Sequence, residues 1–171
     1  TYQIGRGTQL KYSFETSSPV SSIALISDTE FRMNSMEWKR GNPSLKPNRR
    51  YEHTMRISHD AARYSTYLEG YYRRNPHCNM ETYERTADGT FVYTQRNQPG
   101  CHMYYISGYY RHELLPDRLS ASVSASLYRF YNYGDTYRHH YTAGNGVASI
   151  DAYLGRWTLS AYADNGWHWT E

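Results

Sequence analysis

The sequence predicts an all-β fold: an antiparallel meander of about seven long strands plus one hairpin standing beyond it. Three observations predict it. Between Leu119 and Leu127 every odd residue is apolar and every even residue is serine. Period two is a strand signal, because successive side chains on a strand point to opposite faces. The same alternation recurs in six other segments, and no long segment carries apolar residues at helical spacing with caps.

The elements follow in order. Leu10, Tyr12 and Phe14 alternate with Lys11, Ser13 and Glu15, giving a strand near 7–16. A short helical turn fits within 20–37. Tyr51, Met55 and Ile57 oppose Thr54, Arg56 and Ser58 in a strand near 50–60. Leu68 and Tyr72 oppose Tyr67, Glu69, Tyr71 and Arg73 near 64–74. Asp88-Gly89, between Thr82–Arg85 and Phe91–Gln95, is a hairpin signal. Tyr104, Ile106, Gly108 and Tyr110 define a strand near 101–112, and the serine run one near 118–131. Ala148, Ile150, Ala152 and Leu154 give the strand near 146–154; Trp157, Leu159 and Ala161 give the last, near 157–165.

Composition narrows the class. The chain has 171 residues, enough for one domain, yet only 39% are apolar and 20 are tyrosine. Tyrosine has an apolar body and a wet tip, so it suits pleated surfaces between oil and water. The net charge of +3 is mild, and no stripe concentrates it, which argues against nucleic acid. No apolar run approaches the roughly 18 residues of a spanning helix, whereas barrel strands need only about 10 alternating residues.

The alternating strands have one greasy and one polar face. The polar face carries Glu15, Arg56, Glu69, Arg73, Arg111 and Asp151. Buried ions cost several kcal/mol each, so this face meets water. Two readings remain at this point: the greasy face lies on a protein core, or it lies in lipid. The connections alternate in length. Those at 60–63, 113–117 and 155–156 are tight; those at 17–49, 75–100 and 132–145 are long. That sorting is the asymmetry of outer-membrane barrels.

Residues 41–47 read Gly-Asn-Pro-Ser-Leu-Lys-Pro and lead into the strand at 50–60. Two prolines and a glycine prevent pairing there and fix an extended approach to the strand. The segment resembles the Gly-Asn-Pro-x-Leu-Lys-Pro signature of TonB-dependent outer-membrane receptors, carried here by Gly41, Asn42, Pro43, Leu45, Lys46 and Pro47. The surrounding order, with Ser18-Pro19, Tyr71-Tyr72, Asn75-Pro76, Asn97 and the Gly155–Tyr162 ending, is similar to that of tyrosine-rich barrel proteins of Bacteroidetes.

The resemblance implies one partial barrel segment over 1–171 with no plug domain, in the outer membrane of a Gram-negative cell. It implies nutrient uptake powered through TonB, with a surface lipoprotein as partner and a small molecule or oligosaccharide as ligand. No cofactor and no bond chemistry are implied. The chain starts at Thr1 without a methionine or a signal peptide, which reads as an excised or processed piece. On this reading Leu119, Ala121, Val123, Ala125 and Leu127 face lipid.

Cys78 and Cys101 bracket the Asp88-Gly89 hairpin, each beside a histidine, His77 and His102. Three readings compete: a disulfide stapling the hairpin base, two free thiols, or a His-Cys metal site. His139-His140 point to opposite faces of a strand and do not chelate together. No catalytic or nucleotide-binding signature occurs. A glycosidase-like pairing among Glu30, Glu37, Glu69 and Glu81 has no support from spacing.

Aromatic residues cluster around Tyr128–Tyr141, with Trp157, Trp167 and Trp169 near the end. They serve as an interfacial girdle, or, at Tyr131, Tyr133 and Tyr137, as a stacking platform for ligand. Arg129, on the greasy face near a strand end, can snorkel into headgroups. The competing functional class is a secreted or surface β-sandwich that binds carbohydrate; a β-sandwich hydrolase is a third.

Overall fold

The computed structural model describes residues 1–19, 21–135 and 137–170, without the side chain of Trp169. It is all-β, with 71% of the described residues in strands and 2% in helix. The strands are β1 (Tyr2–Gly5), β2 (Thr8–Ser17), β3 (Glu30–Arg32), β4 (Glu37–Arg40), β5 (Arg50–Asp60), β6 (Tyr64–Asn75) and β7 (Cys78–Arg85). They continue with β8 (Phe91–Gln98), β9 (Gly100–Leu115), β10 (Leu119–Tyr133), β11 (Arg138–Leu154), β12 (Trp157–Asp164) and β13 (His168–Thr170). One helical turn, α1, spans Ile23–Ile26.

Nine strands form a single antiparallel sheet in the order β1-β2-β5-β6-β9-β10-β11-β12, with β13 also on β11. The seven strands expected from alternation are β2, β5, β6, β9, β10, β11 and β12. The sheet does not close on itself among the described residues; β1 is one edge, and β12 with β13 the other. The remaining four strands make a second sheet, β3-β4-β8-β7, built from the two longest connections of the meander. The Asp88-Gly89 hairpin, β7–β8, therefore does not stand alone. It pairs in parallel with β4 through Glu37↔Phe91, Trp38↔Val92 and Lys39↔Tyr93. Gly89 has φ +87°, which an L side chain rarely adopts, so glycine belongs at this turn.

One connection differs from expectation. The long loop read at 132–145 is mostly strand: β10 and β11 pair without interruption from Leu119↔Ala152 to Tyr133↔Arg138. Gly144, Gly146 and the adjacent histidines hid the alternation there. A glycine carries no side chain to mark a face, and histidine suits either environment.

The registers place all seven apolar faces on one side. Leu10 pairs with Ile57, Ile57 with Leu68, Leu68 with Gly108, and Gly108 with Ala125. A shift of one residue at any pairing would have sent a strand's apolar set to the serine side.

The chain lacks a conventional core. Among the described residues the buried apolar side chains are Cys78, Val92, Cys101 and Ala143, and no large side chain is fully buried. Accessible surface is 11947 Å² for 20.1 kDa. A compact monomer of this mass exposes about 8,700 Å². The excess is about 3,000 Å² by the same scaling, as expected of an open sheet with no second layer.

Candidate functional site

The candidate site is the two-faced sheet together with the loop crown formed by the second sheet. On the apolar face Val123 and Leu127 are each 50% exposed, Leu68 is 51% and Ile150 51%. Ala125 is exposed as well, while Leu119 and Ala121 are half-buried. Nothing among the described residues covers this face. A sheet dries one face only by packing a second layer on it, and no such layer is present among the described residues.

Aromatic rows flank the aliphatic band at both ends. At the crown end Phe14, His53, Tyr72 and Tyr104 lie in register across four strands. Their rings touch: Phe14–His53 at 4.8 Å, His53–Tyr72 at 6.0 Å and Tyr72–Tyr104 at 4.9 Å between centroids. Polar tips find partners, with Tyr12 Oη 2.8 Å from His53 Nδ1 and Tyr72 Oη 2.8 Å from His102 Nδ1. At the short-turn end Tyr64 packs on His59 at 5.4 Å and on Tyr110 at 6.1 Å. Trp157 stands at that end of β12, 64% exposed.

The opposite face is polar and laced together. Tyr71 Oη donates to Glu52 Oε1 at 2.8 Å, Arg56 meets Glu69 at 3.8 Å, and the Arg56 guanidinium lies 3.8 Å over the Tyr67 ring. Ser122 and Ser149 share a hydrogen bond of 2.8 Å, and Arg111 donates to Ser120 at 3.1 Å. Every charged residue expected on this face is found on it. A polar hollow of about 450 Å³, lined by Lys11, Arg56, Glu69, Tyr67 and Tyr109 among others, opens on this side.

The Gly41–Pro47 segment is the hub of the crown. Gly41 is buried, and a Cβ there would overlap the Ser27 carbonyl oxygen at the end of α1. Asn42 N donates to Leu25 O at 2.7 Å, and Asn42 Nδ2 to Gln95 O at 2.9 Å. Lys46 N donates to Asn97 Oδ1 at 2.7 Å; Asn97 Nδ2 returns to Lys46 O at 3.1 Å and reaches Asn79 Oδ1 at 2.6 Å. Pro43 and Pro47 are exposed and Leu45 is half-buried. The motif thus ties α1, β7 and β8 to the approach of β5. Sequence reasoning read its prolines correctly and missed the asparagine network, for which the density of Asn was the available signal.

Cys78 and Cys101 form a disulfide with Cα atoms 6.3 Å apart, which sets aside the free-thiol and metal readings. Both are buried. In the hairpin register Cys78 pairs with Gln98, three residues before Cys101. Among the described residues no group of three or more His, Cys, Asp or Glu converges as a metal site. Glu30 lies 3.9 Å from Arg40, Glu81 lies 3.2 Å from Lys39, and Glu37 accepts from Tyr93 Oη at 3.3 Å. That proximity, after burial itself, raises the Tyr93 phenol above its ordinary value.

The aromatic candidates separate. Tyr131 and Tyr133 lie in β10 on the same face as Leu127, and Tyr131 meets Tyr104 edge-on at 6.1 Å. Tyr137 sits at the β10–β11 tip and donates to Met80 Sδ at 3.2 Å. Trp157 and Trp167 do not cluster: Trp167 packs on Tyr128, 5.3 Å away on the polar side. The side chain of Trp169 lies outside the described residues. Arg129 is exposed on the apolar face, its guanidinium 5.2 Å from the Tyr131 ring. Searches against protein-family models and curated proteins return no match. No helix among the described residues is long and apolar enough to cross a membrane, which leaves crossing by strands open.

Proposed function

We propose that this chain is a stretch of wall of an outer-membrane β-barrel, of the kind used by TonB-dependent receptors for nutrient uptake. The observation that carries the reading is the uncovered apolar face, continuous across seven strands and bounded at both ends by aromatic rows. On this reading the face meets lipid, the serine side lines a wet lumen, and the crown stands outside the cell.

Dimensions support it. Tyr64 and Tyr72 mark the two aromatic rows on β6. Their separation is about 27 Å along the strand, or about 21 Å vertically at a barrel tilt of about 40°, near the ~25 Å apolar band of such barrels. The edges at β1 and β12 are open, so the reading requires further strands to pair them, since lipid does not tolerate an open sheet edge. The Gly41–Pro47 motif supports the TonB-dependent class. That class brings with it the TonB system, a surface lipoprotein and a transported ligand as partners. The wall itself performs no bond chemistry. It supplies a lipid-stable surface, a polar passage and a rigid mount for the crown.

Paired labels test the reading. A spin label at Val123 should be quenched by a lipid-soluble reagent, and one at Ser122 by a water-soluble reagent. A label at position 123 shielded from both lies in a protein core, and the β-sandwich reading then takes over.

A further inference from the structure

Charge is divided unequally between the two sides of the nine-stranded sheet. Glu15, Glu52, Asp60, Glu69, Glu113, Asp151 and Asp164, the carboxylates of its described strands, all lie on the serine side by register. The apolar side carries no carboxylate in these strands, yet it carries Arg74, Arg129 and Arg138. All three are exposed, and none makes an ion pair among the described residues.

Their positions coincide with the crown-end aromatic rows. Arg74 pairs with His102 across β6–β9, His102 with Tyr131 across β9–β10, and Tyr131 with His140 across β10–β11. Arg129 lies two residues below Tyr131 on the same face, level with Tyr104, and Arg138 pairs with Tyr133. Guanidinium forks therefore alternate with phenol and imidazole groups where the aliphatic band ends. A guanidinium matches phosphate oxygens with two parallel donors, and phenol and imidazole add more.

We propose that this row binds the phosphate headgroup of an anionic lipid in the leaflet on the crown side. The inference rests on the wall reading above, which puts the row at headgroup depth. Charge complementarity selects the occupant. A zwitterionic headgroup brings its own cation into a band that already holds three and has no anion to offer. An anionic lipid supplies the missing charge and lays its chains along Leu127, Ile106 and Leu68 below. Arginine clusters beside a bilayer attract anionic lipid on the same grounds.

The test uses the chain in detergent micelles, titrated with phosphatidylglycerol, with phosphatidylcholine and with inorganic phosphate, and bound lipid counted by native mass spectrometry. The wild-type chain should prefer phosphatidylglycerol by about tenfold or more. The triple variant Arg74→Gln, Arg129→Gln, Arg138→Gln should bring that ratio to about one, while Arg73→Gln with Arg111→Gln on the serine side should leave it unchanged. Equal affinity for both lipids in the wild type would overturn the proposal, as would an unchanged ratio in a triple variant that keeps its strand circular dichroism. Displacement of the lipid by millimolar inorganic phosphate would overturn it in favour of a free-anion site. A label at Val123 separates the two failures. If lipid-soluble reagent quenches it and no lipid preference appears, only this proposal falls; if it is not quenched, the wall reading falls as well.

Discussion

Cys78 is joined to Cys101, and this bond ties the edge strand of the four-stranded crown to β9 of the nine-stranded sheet. The bond closes a loop of sequence separation 23 that contains both strands of the hairpin. The hairpin is also tied to the nine-stranded sheet by the chain at both ends, through Pro76-His77 and through Pro99, and to the rest of the crown by the Gly41–Pro47 hub.

Replacing both cysteines with alanine should loosen the crown and leave the wall intact. In the loop-entropy account the loss is about 3 kcal/mol. Limited proteolysis should then cut between residues 79 and 97 while strand circular dichroism holds. In unreduced, denatured protein both thiols should resist alkylation; free thiols by mass spectrometry would contradict the pairing.

The proposed barrel wall requires opposite outcomes for adjacent residues. Val123→Arg at mid-depth should cost roughly 2–4 kcal/mol of stability in the intact barrel in bilayers, because it places a charge on the apolar side. Ser122→Arg should cost far less, since its neighbours are Ser149 and Arg111 on the polar face. Urea unfolding of both variants in vesicles measures the difference, and equal costs would count against the two-sided assignment.

Gly41→Ala should destabilise the crown by about 1–3 kcal/mol, the range for forcing a methyl group into filled space. The Cβ meets backbone oxygens of Ser27 and Ala24, which cannot swing aside as a side chain would. Pro43→Ala, at an exposed position of the same motif, should cost much less. Protease sensitivity of the crown ranks the two variants.

The hairpin tip should keep its order to unusually low pH. The Asp88 carboxylate is held below its ordinary value chiefly by the Thr86 hydroxyl, then by the hydroxyl and N–H of Thr90, at 3.0 and 3.4 Å. A depressed folded-state value means that the contribution is fully present above the unfolded carboxylate's titration and is lost as pH falls through the folded one. Amide shifts of Thr86 and Thr90 should therefore titrate below the usual aspartate range, and Asp88→Asn should abolish that transition. A transition at the ordinary aspartate value would show that these bonds do not persist in solution.

The isolated chain should require detergent. With a face of exposed Leu, Ile, Val and Tyr and an unpaired β12 edge, it should associate in plain buffer. Size exclusion with light scattering checks this. A sharp monomer peak without detergent, with cooperative melting, would favour the sandwich.

The sequence by itself determined the seven long strands and their faces, but not the short strands β1, β3, β4 and β13 or the first half of β11. Alternation is a local property, so the Leu119–Leu127 run, the Leu10–Phe14 run and their counterparts declared which side of each strand was apolar before any pairing was known. It marked the Asp88-Gly89 turn for the same local reason, and it marked Gly41–Pro47 as a segment that could not pair. Only the tertiary structure decided what those faces add up to. Register is a relation between distant residues: that Ile57 pairs with Leu68 and Arg74 with His102 is written in neither strand alone. The parallel pairing of β4 with β8, the overlap that makes Gly41 indispensable, and the gathering of Arg74, Arg129 and Arg138 onto a face without carboxylates are of the same kind. Each depends on which strands become neighbours, and that is settled by the pairing of the whole sheet.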